Sequence, residues 1–290
     1  MDTLFANLQE NTISTDISHM LALWTNDDER IMIFGAHDDD PLIGAGYIMA
    51  EAQKKDIEVF VTIFCQGDCG YSVPEQRDMI VGIRKEENVN ALAQLGIDRS
   101  HIIRFELPDF SLMHHKGYHT RDGGMGLFPH LVDLIREYRI TRAFIPNDFR
   151  EHCDHTAAFE MCAFDLIQAG DPILSDRAEP YKVRSIHQYS VWADFSPLNT
   201  ILASEPKKDI RANFAILADP GYEYRVREAL KYYKSQGKII KELVNARSSR
   251  IVQGRCAELY LLYDPRPSLK YEKYHDCLTE LLNGHEPQNG

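Results

Sequence analysis

The sequence predicts an α/β fold: a Rossmann-like, mostly parallel sheet with helices on both faces and a C-terminal part that completes the sheet. Two observations carry this. Short runs of apolar, β-branched and aromatic residues alternate with helical stretches, which is the β-α-β-α order of a parallel sheet. Several of those runs are apolar at every position, as in strands buried on both faces. The 290 residues are 44% apolar, and a domain of this length buries roughly three quarters of its unfolded surface.

The elements follow in order. Ile31–Ala36 (IMIFGA) is the first strand and 41–55 the first helix. Glu58–Cys65 (EVFVTIFC) is the second strand, and 75–95 a helix closed by Gly96. A third strand at 101–107, a helix at 127–138, a fourth strand at 142–146 and a helix at 156–169 complete the regular part. Beyond about residue 183 the pattern loosens: a strand at 185–192, one long helix over 222–246 and a strand at 259–263 are expected. The chain reads as a single domain over 1–290, with a core of about 30–170 and an extension of about 171–290.

Composition narrows the function. Acids outnumber bases 44 to 32, for a net charge of −12. That excludes the basic field that nucleic acid requires, and argues against docking on anionic lipid. No apolar run approaches the roughly 18 residues of a membrane span. Six cysteines are too sparse for a disulfide scaffold. With no basic-then-apolar leader at the N-terminus, the expectation is a cytoplasmic protein. Self-association into a homo-oligomer is left open.

In such a sheet, ligands sit outside the carboxyl ends of the strands. Two clusters fall there. His37-Asp38-Asp39-Asp40-Pro41 follows the first strand. Like charges packed this closely cost free energy unless a cation offsets them. An imidazole with carboxylates at a strand exit suits Zn²⁺ or another divalent first-row ion. Asp40 before Pro41 also reads as a helix N-cap, and the two readings can coexist. Glu151-His152-Cys153-Asp154-His155 follows the fourth strand. Three protein ligands and an open position make a catalytic site, so His37, Asp40 and one of these two histidines suffice. The remaining histidine, oriented by Asp154, is then available as an electrophile.

At these residues the sequence resembles the PIG-L/LmbE family of metal-dependent N-acetylglucosaminyl deacetylases. Ala36-His37-Asp38-Asp39-Asp40-Pro41 stands where the family has Ala-His-Pro-Asp-Asp-Glu, and His152-Cys153-Asp154-His155 where it has His-Pro-Asp-His. Arg84, Glu87, Ala91 and Leu95-Gly96 follow its Arg-x2-Glu-x3-Ala-x3-Leu-Gly helix, and Leu107-Pro108-Asp109 its Leu-Pro-Asp turn. Gly44 and Gly46 fit its glycine-rich first helix, while Tyr233-Lys234-Ser235-Gln236 and Ala257-Glu258 resemble its C-terminal elements.

The resemblance implies His37, Asp40 and His155 as metal ligands and Asp39 as general base. It implies His152 as oxyanion stabiliser, Asp154 as an orienting acid, and Arg84 and Asp109 as substrate-holding residues. The implied reaction is zinc-dependent hydrolysis of the N-acetyl group of a small-molecule amino sugar or glycoconjugate, releasing acetate and a free amine. Asp38, Pro41 and Cys153 depart from the family pattern without removing a ligand or the base. Hydrolysis of another amide or a phosphoester, and a non-catalytic metal-binding protein, are the alternatives.

Weaker features are a histidine loop (His114, His115, His119), the pair Cys65 and Cys69, and Tyr232 and Tyr233, which read as core packing.

Overall fold

The computed structural model describes residues 2–25, 27–147, 151–192, 195, 211–263, 266 and 271–284. The strands are β1 (Leu4–Asn7), β2 (Thr12–Ser14), β3 (Arg30–Gly35), β4 (Glu58–Cys65), β5 (Ile102–Leu107), β6 (Arg142–Pro146), β7 (Ser185–Tyr189), β8 (Phe214–Ala218), β9 (Ile251–Val252) and β10 (Arg255–Tyr263). The helices are α1 (Asp40–Lys54), α2 (Ile80–Ala93), α3 (Phe128–Tyr138), α4 (Cys153–Gln168), α5 (Pro220–Leu230), α6 (Gly237–Ala246) and α7 (Glu272–Gly284).

One sheet takes all ten strands, in the order β2-β1-β8-β10-β7-β6-β3-β4-β5, with β9 beside β10. The expectation of a mostly parallel sheet holds for one half. β7, β6, β3, β4 and β5 are parallel, joined through helical crossovers. The other half, β1, β2, β8, β9 and β10, is antiparallel, and it joins the parallel half where β10 pairs antiparallel with β7. The C-terminal strands therefore do complete the sheet, but by antiparallel pairing. Numbered among themselves, the parallel strands run 3-2-1-4-5, so the order reverses between β3 and β6. That reversal opens a crevice at their carboxyl ends.

Strand alternation divides the core between two faces. Ile31, Ile33, Val59, Val61, Ile63 and Phe144 pack with α1, α2, α5 and α6 on one side. Met32, Phe34, Phe60, Phe64, Ala143 and Ile145 pack with α3 and α4 on the other. Helix α1 presses hard on the sheet: a Cβ on Gly44 would lie 2.1 Å from the Tyr189 ring.

The long helix expected over 222–246 is two helices. Tyr233 leaves the helical region (φ −78°, ψ 64°) and a short turn at Lys234–Gln236 follows. The turn is held by side chains rather than propensity. Ser235 donates from both N–H and Oγ to Glu87, and Tyr233 turns its hydroxyl inward to the Asp38 carbonyl at 2.7 Å. Among the described residues no helix is long and apolar enough to cross a membrane.

Candidate active site at the β3 and β6 strand exits

The two clusters meet at the crevice. After β3 the chain turns into α1, whose N-cap is Asp39 rather than Asp40. Asp39 makes no side-chain cap bond, so its carboxylate is not committed to the helix end. Asp40 instead folds back and accepts the His37 backbone N–H at 2.7 Å. After β6, α4 starts with His152 as its N-cap.

The ligand-capable atoms of His37, Asp40 and His155 lie within 4.8 Å of one another. His155 Nε2 is 3.2 Å from Asp40 Oδ1, and His37 Nδ1 is 3.6 Å from Asp40 Oδ2. Behind His155, Nδ1 sits 3.2 Å from Glu151 Oε2. An Nδ1–H given to Glu151 leaves Nε2 as the nitrogen that faces Asp40. Burial alone would lower the pKa of both ligand histidines. The Asp154 and Asp40 contacts override it at His37, which is held well above its ordinary value, and Asp40 raises His155 to about 9. Burial would likewise raise Asp40, but His155 and His37 hold it well below the usual carboxylate range. Positive charge is thus favoured beside Asp40, whether protons on the imidazoles or an ion carries it. Two imidazoles and one carboxylate form a donor set that fits a divalent first-row ion.

His152 lies on the open side, with its ring centroid 4.8 Å from that of His37. Its Nδ1 accepts the Asp154 backbone N–H at 3.2 Å, which puts the ring proton on Nε2. Burial, with the charges on His37 and His155, pushes its pKa down to about 4, so the ring is neutral at pH 7. Asp154 is almost wholly buried. Its Oδ2 lies 3.4 Å from His37 Nε2 and accepts the Phe110 N–H at 2.7 Å, while Oδ1 takes the Leu112 N–H at 3.3 Å. Phe110 is thereby pinned at the mouth with φ +62°, its exposed ring 4.8 Å from that of His152.

The three consecutive aspartates have three different surroundings. Asp40 faces the histidines. Asp39 is raised by burial and by the neighbouring acids, with Arg84 opposing. Asp38 is fully buried; its Oδ2 accepts Arg84 Nε at 2.9 Å and its Oδ1 pairs with Arg104 Nη1. Arg84, expected to face substrate, has a side chain only 5% exposed; its Nη2 reaches Asp39 Oδ1 at 3.5 Å. Asp109, also expected on substrate, ties two strand exits together by accepting the Gly67 and Cys69 N–H groups at 2.9 and 3.0 Å.

Sequence reasoning gave no role in the site to four residues here. Glu151 orients His155, Arg104 meets Asp38, and Asn88 and Tyr233 both donate to the Asp38 carbonyl. Tyr233 was expected only to fill the core, and Tyr232 is 38% exposed rather than packed. Among the described residues, no grouping of potential ligands includes His114, His115 or His119, and none contains both Cys65 and Cys69.

The chain is similar to known proteins over part of its sequence and in its fold. Residues 32–163 match the family PIG-L, described as GlcNAc-PI de-N-acetylase. The structure is similar to N,N'-diacetylchitobiose deacetylase from Pyrococcus horikoshii (TM-score 0.64, 16% identity, covering 86% of this chain and 90% of that one). It is similar to the conserved protein TT1542 from Thermus thermophilus (TM-score 0.61, 19% identity, 83% and 97% covered). It is also similar to GalB, the 4-carboxy-2-hydroxymuconate hydratase of Pseudomonas putida (TM-score 0.61, 14% identity, 83% and 99% covered). At such identities the likeness shows the fold. Because a deacetylase and a hydratase share it, the reaction has to be argued from the site.

Proposed function

We propose that this chain, which carries a PIG-L domain over residues 32–163, is a metal-dependent N-deacetylase. It hydrolyses the N-acetyl group of an amino sugar or its conjugate, releasing acetate and a free amine. The observation that carries the reading is the convergence of His37, Asp40 and His155 within 4.8 Å, beside an Asp39 carboxylate left out of helix capping. The family description and the chitobiose deacetylase likeness support the substrate class. On this reading residues 1–290 form one domain whose parallel half is Rossmann-like. The chain works in the cytoplasm, and the substrate is a small-molecule glycoconjugate.

His37, Asp40 and His155 would hold the ion, with zinc preferred by the nitrogen-rich donor set. When bound, such an ion supplies a Lewis acid for the acetyl carbonyl and makes water a better nucleophile at neutral pH. Asp39 takes the proton from the attacking water. Burial raises the Asp39 carboxyl, which suits a group that must accept a proton and then give it up to the leaving amine. His152 donates from Nε2 to the oxyanion that develops on the acetyl carbonyl, a preorganised hydrogen bond in a partly dry site. Asp154 keeps His37 and the Phe110 loop in place. Asp109 holds the substrate-facing rim by joining the β4 and β5 exits. Arg84 acts on Asp39 rather than on substrate.

The deciding experiment measures bound metal, then acetate and phosphate release over a panel of N-acetylglucosaminides and phosphoesters. Metal with acetate release supports the reading. Metal with phosphate release, or metal with neither, overturns it.

A further inference from the structure

Asp38 and Arg104 have no role in the reaction as described so far, yet both are buried beside it. Asp38 is wholly buried, and each of its carboxylate oxygens meets a different arginine. Its carbonyl is fixed independently by Asn88 Nδ2 and Tyr233 Oη, both at 2.7 Å. The Arg104 side chain is 6% exposed; its Nε donates to Glu106 at 3.1 Å and its Nη1 approaches Asn88 Oδ1 at 3.4 Å. Among the described residues, Arg104 Nη2 is buried with no hydrogen-bond partner. Leaving a buried guanidinium nitrogen unpaired costs stability. Such a group, kept against one carboxylate that already has an arginine, needs a reason beyond anchoring.

The reason lies in Arg84. Its Nε is held by Asp38 at 2.9 Å, while its Nη2 stands off from Asp39 at 3.5 Å, the long limit of a hydrogen bond. The guanidinium is boxed in on the other side. Gly67 sits at φ +78°, where a Cβ would come 2.4 Å from Arg84 Nε, and a Cβ on Gly70 would lie 3.0 Å from Nη1. Arg84 therefore has little freedom except along the line between Asp38 and Asp39.

We infer that Asp38, braced by Arg104, is a positioning residue: it holds the Arg84 guanidinium back from Asp39 and so leaves the Asp39 carboxylate free to face the attacking water. This rests on the assignment of Asp39 made above. Without the Asp38 charge, Arg84 has one acid left to face. It closes on Asp39, and a guanidinium hydrogen-bonded there occupies the oxygen that would otherwise face the water.

The test uses the zinc-loaded full chain with N-acetylglucosaminides as the probe. In Asp38→Asn, kcat falls by about 10-fold or more while KM and zinc content stay within about 3-fold, as for lost proton-transfer efficiency. Arg104→Met shows the same split, and Arg104→Lys restores most of kcat. The neutral pair Asp38→Asn/Arg104→Gln guards against misfolding, and its kcat loss matches the single variants instead of multiplying them. An unchanged kcat in Asp38→Asn, or a loss that tracks KM or zinc content, overturns the inference. The deacetylase reading fails separately, if the wild type releases no acetate or Asp39→Asn keeps full activity. In that case a crystal structure of Asp38→Asn decides. An Arg84 Nη2 to Asp39 contact contracted from 3.5 Å to an ordinary ion-pair distance supports the inference, and an unchanged contact overturns it.

Discussion

Glu151 and His155 are joined by a 3.2 Å contact between Oε2 and Nδ1. It decides which nitrogen of His155 faces Asp40. Glu151 precedes helix α4, and its other oxygen is engaged by Ser190 Oγ at 2.8 Å and the Trp192 N–H at 3.1 Å. A carboxylate fixed from behind in this way sets the tautomer of the His155 imidazole. Glu151→Ala is expected to weaken zinc binding by about 10- to 100-fold. Competition with a chromogenic chelator measures it, and an unaltered zinc affinity would refute the role. At saturating zinc, most of the wild-type kcat should return.

His152 is predicted to act only as the reaction proceeds. His152→Ala should retain zinc and lose about 10²- to 10³-fold in kcat, the usual loss for one oxyanion donor. His152→Gln, which keeps an N–H donor of similar reach, should recover part of it. Zinc content measured beside kcat separates this role from ligation: a variant that loses metal would make His152 a ligand instead.

His187 lies wholly inside the protein, stacked on Phe144 with ring centroids 5.3 Å apart. Burial, and then the charge of Arg142, depress its pKa from 6.5 to about 3. Between those two values the unfolded chain binds a proton that the folded chain refuses. Stability is therefore unaffected by this group above pH 6.5 and is lost as pH falls below it, by about 1.4 kcal/mol per pH unit. Urea unfolding of wild type and His187→Leu at several pH values between 7 and 4 checks it. The variant should show an acid slope shallower by about one proton, and parallel curves would remove His187 from the account.

Arg142 and Glu29 form a fully buried two-point pair at the opposite end of the sheet, with Nη2 to Oε1 at 2.8 Å and Nε to Oε2 at 2.9 Å. Removing Glu29 leaves the Arg142 charge buried without its carboxylate. Glu29→Ala should cost about 3–5 kcal/mol, whereas the apolar double variant Glu29→Met/Arg142→Leu should recover most of that loss. Denaturant midpoints measure both. An equal loss in the two variants would mean that packing, not charge, governs the position.

What could be read from sequence tracks how local each signal is. Strands β3, β4 and β6 announce themselves because both of their faces are buried, which makes a continuous apolar run. The His37–Asp40 and His152–His155 clusters are legible because each lies within one strand exit. Strands β1, β2, β8 and β9 escaped because they are short, and their pairing is set by distant partners. Phe5, for instance, pairs with Ile216. The same limit applies in the site. Nothing near Arg84 in the chain says that Asp38 will take its guanidinium, and nothing near Tyr233 says that its hydroxyl will reach a carbonyl. Asp40 looked like a helix cap because it precedes Pro41. The fold gives that position to Asp39 because Asp40 is drawn back to the His37 N–H.

The Tyr233 bond to the Asp38 carbonyl spans 195 positions of sequence. His37, Asp40 and His155 are all synthesised well before it. As the chain leaves the ribosome, the His37–Asp40 loop is made long before the tyrosine that fastens it, so its order depends on a contact that only the folded chain supplies.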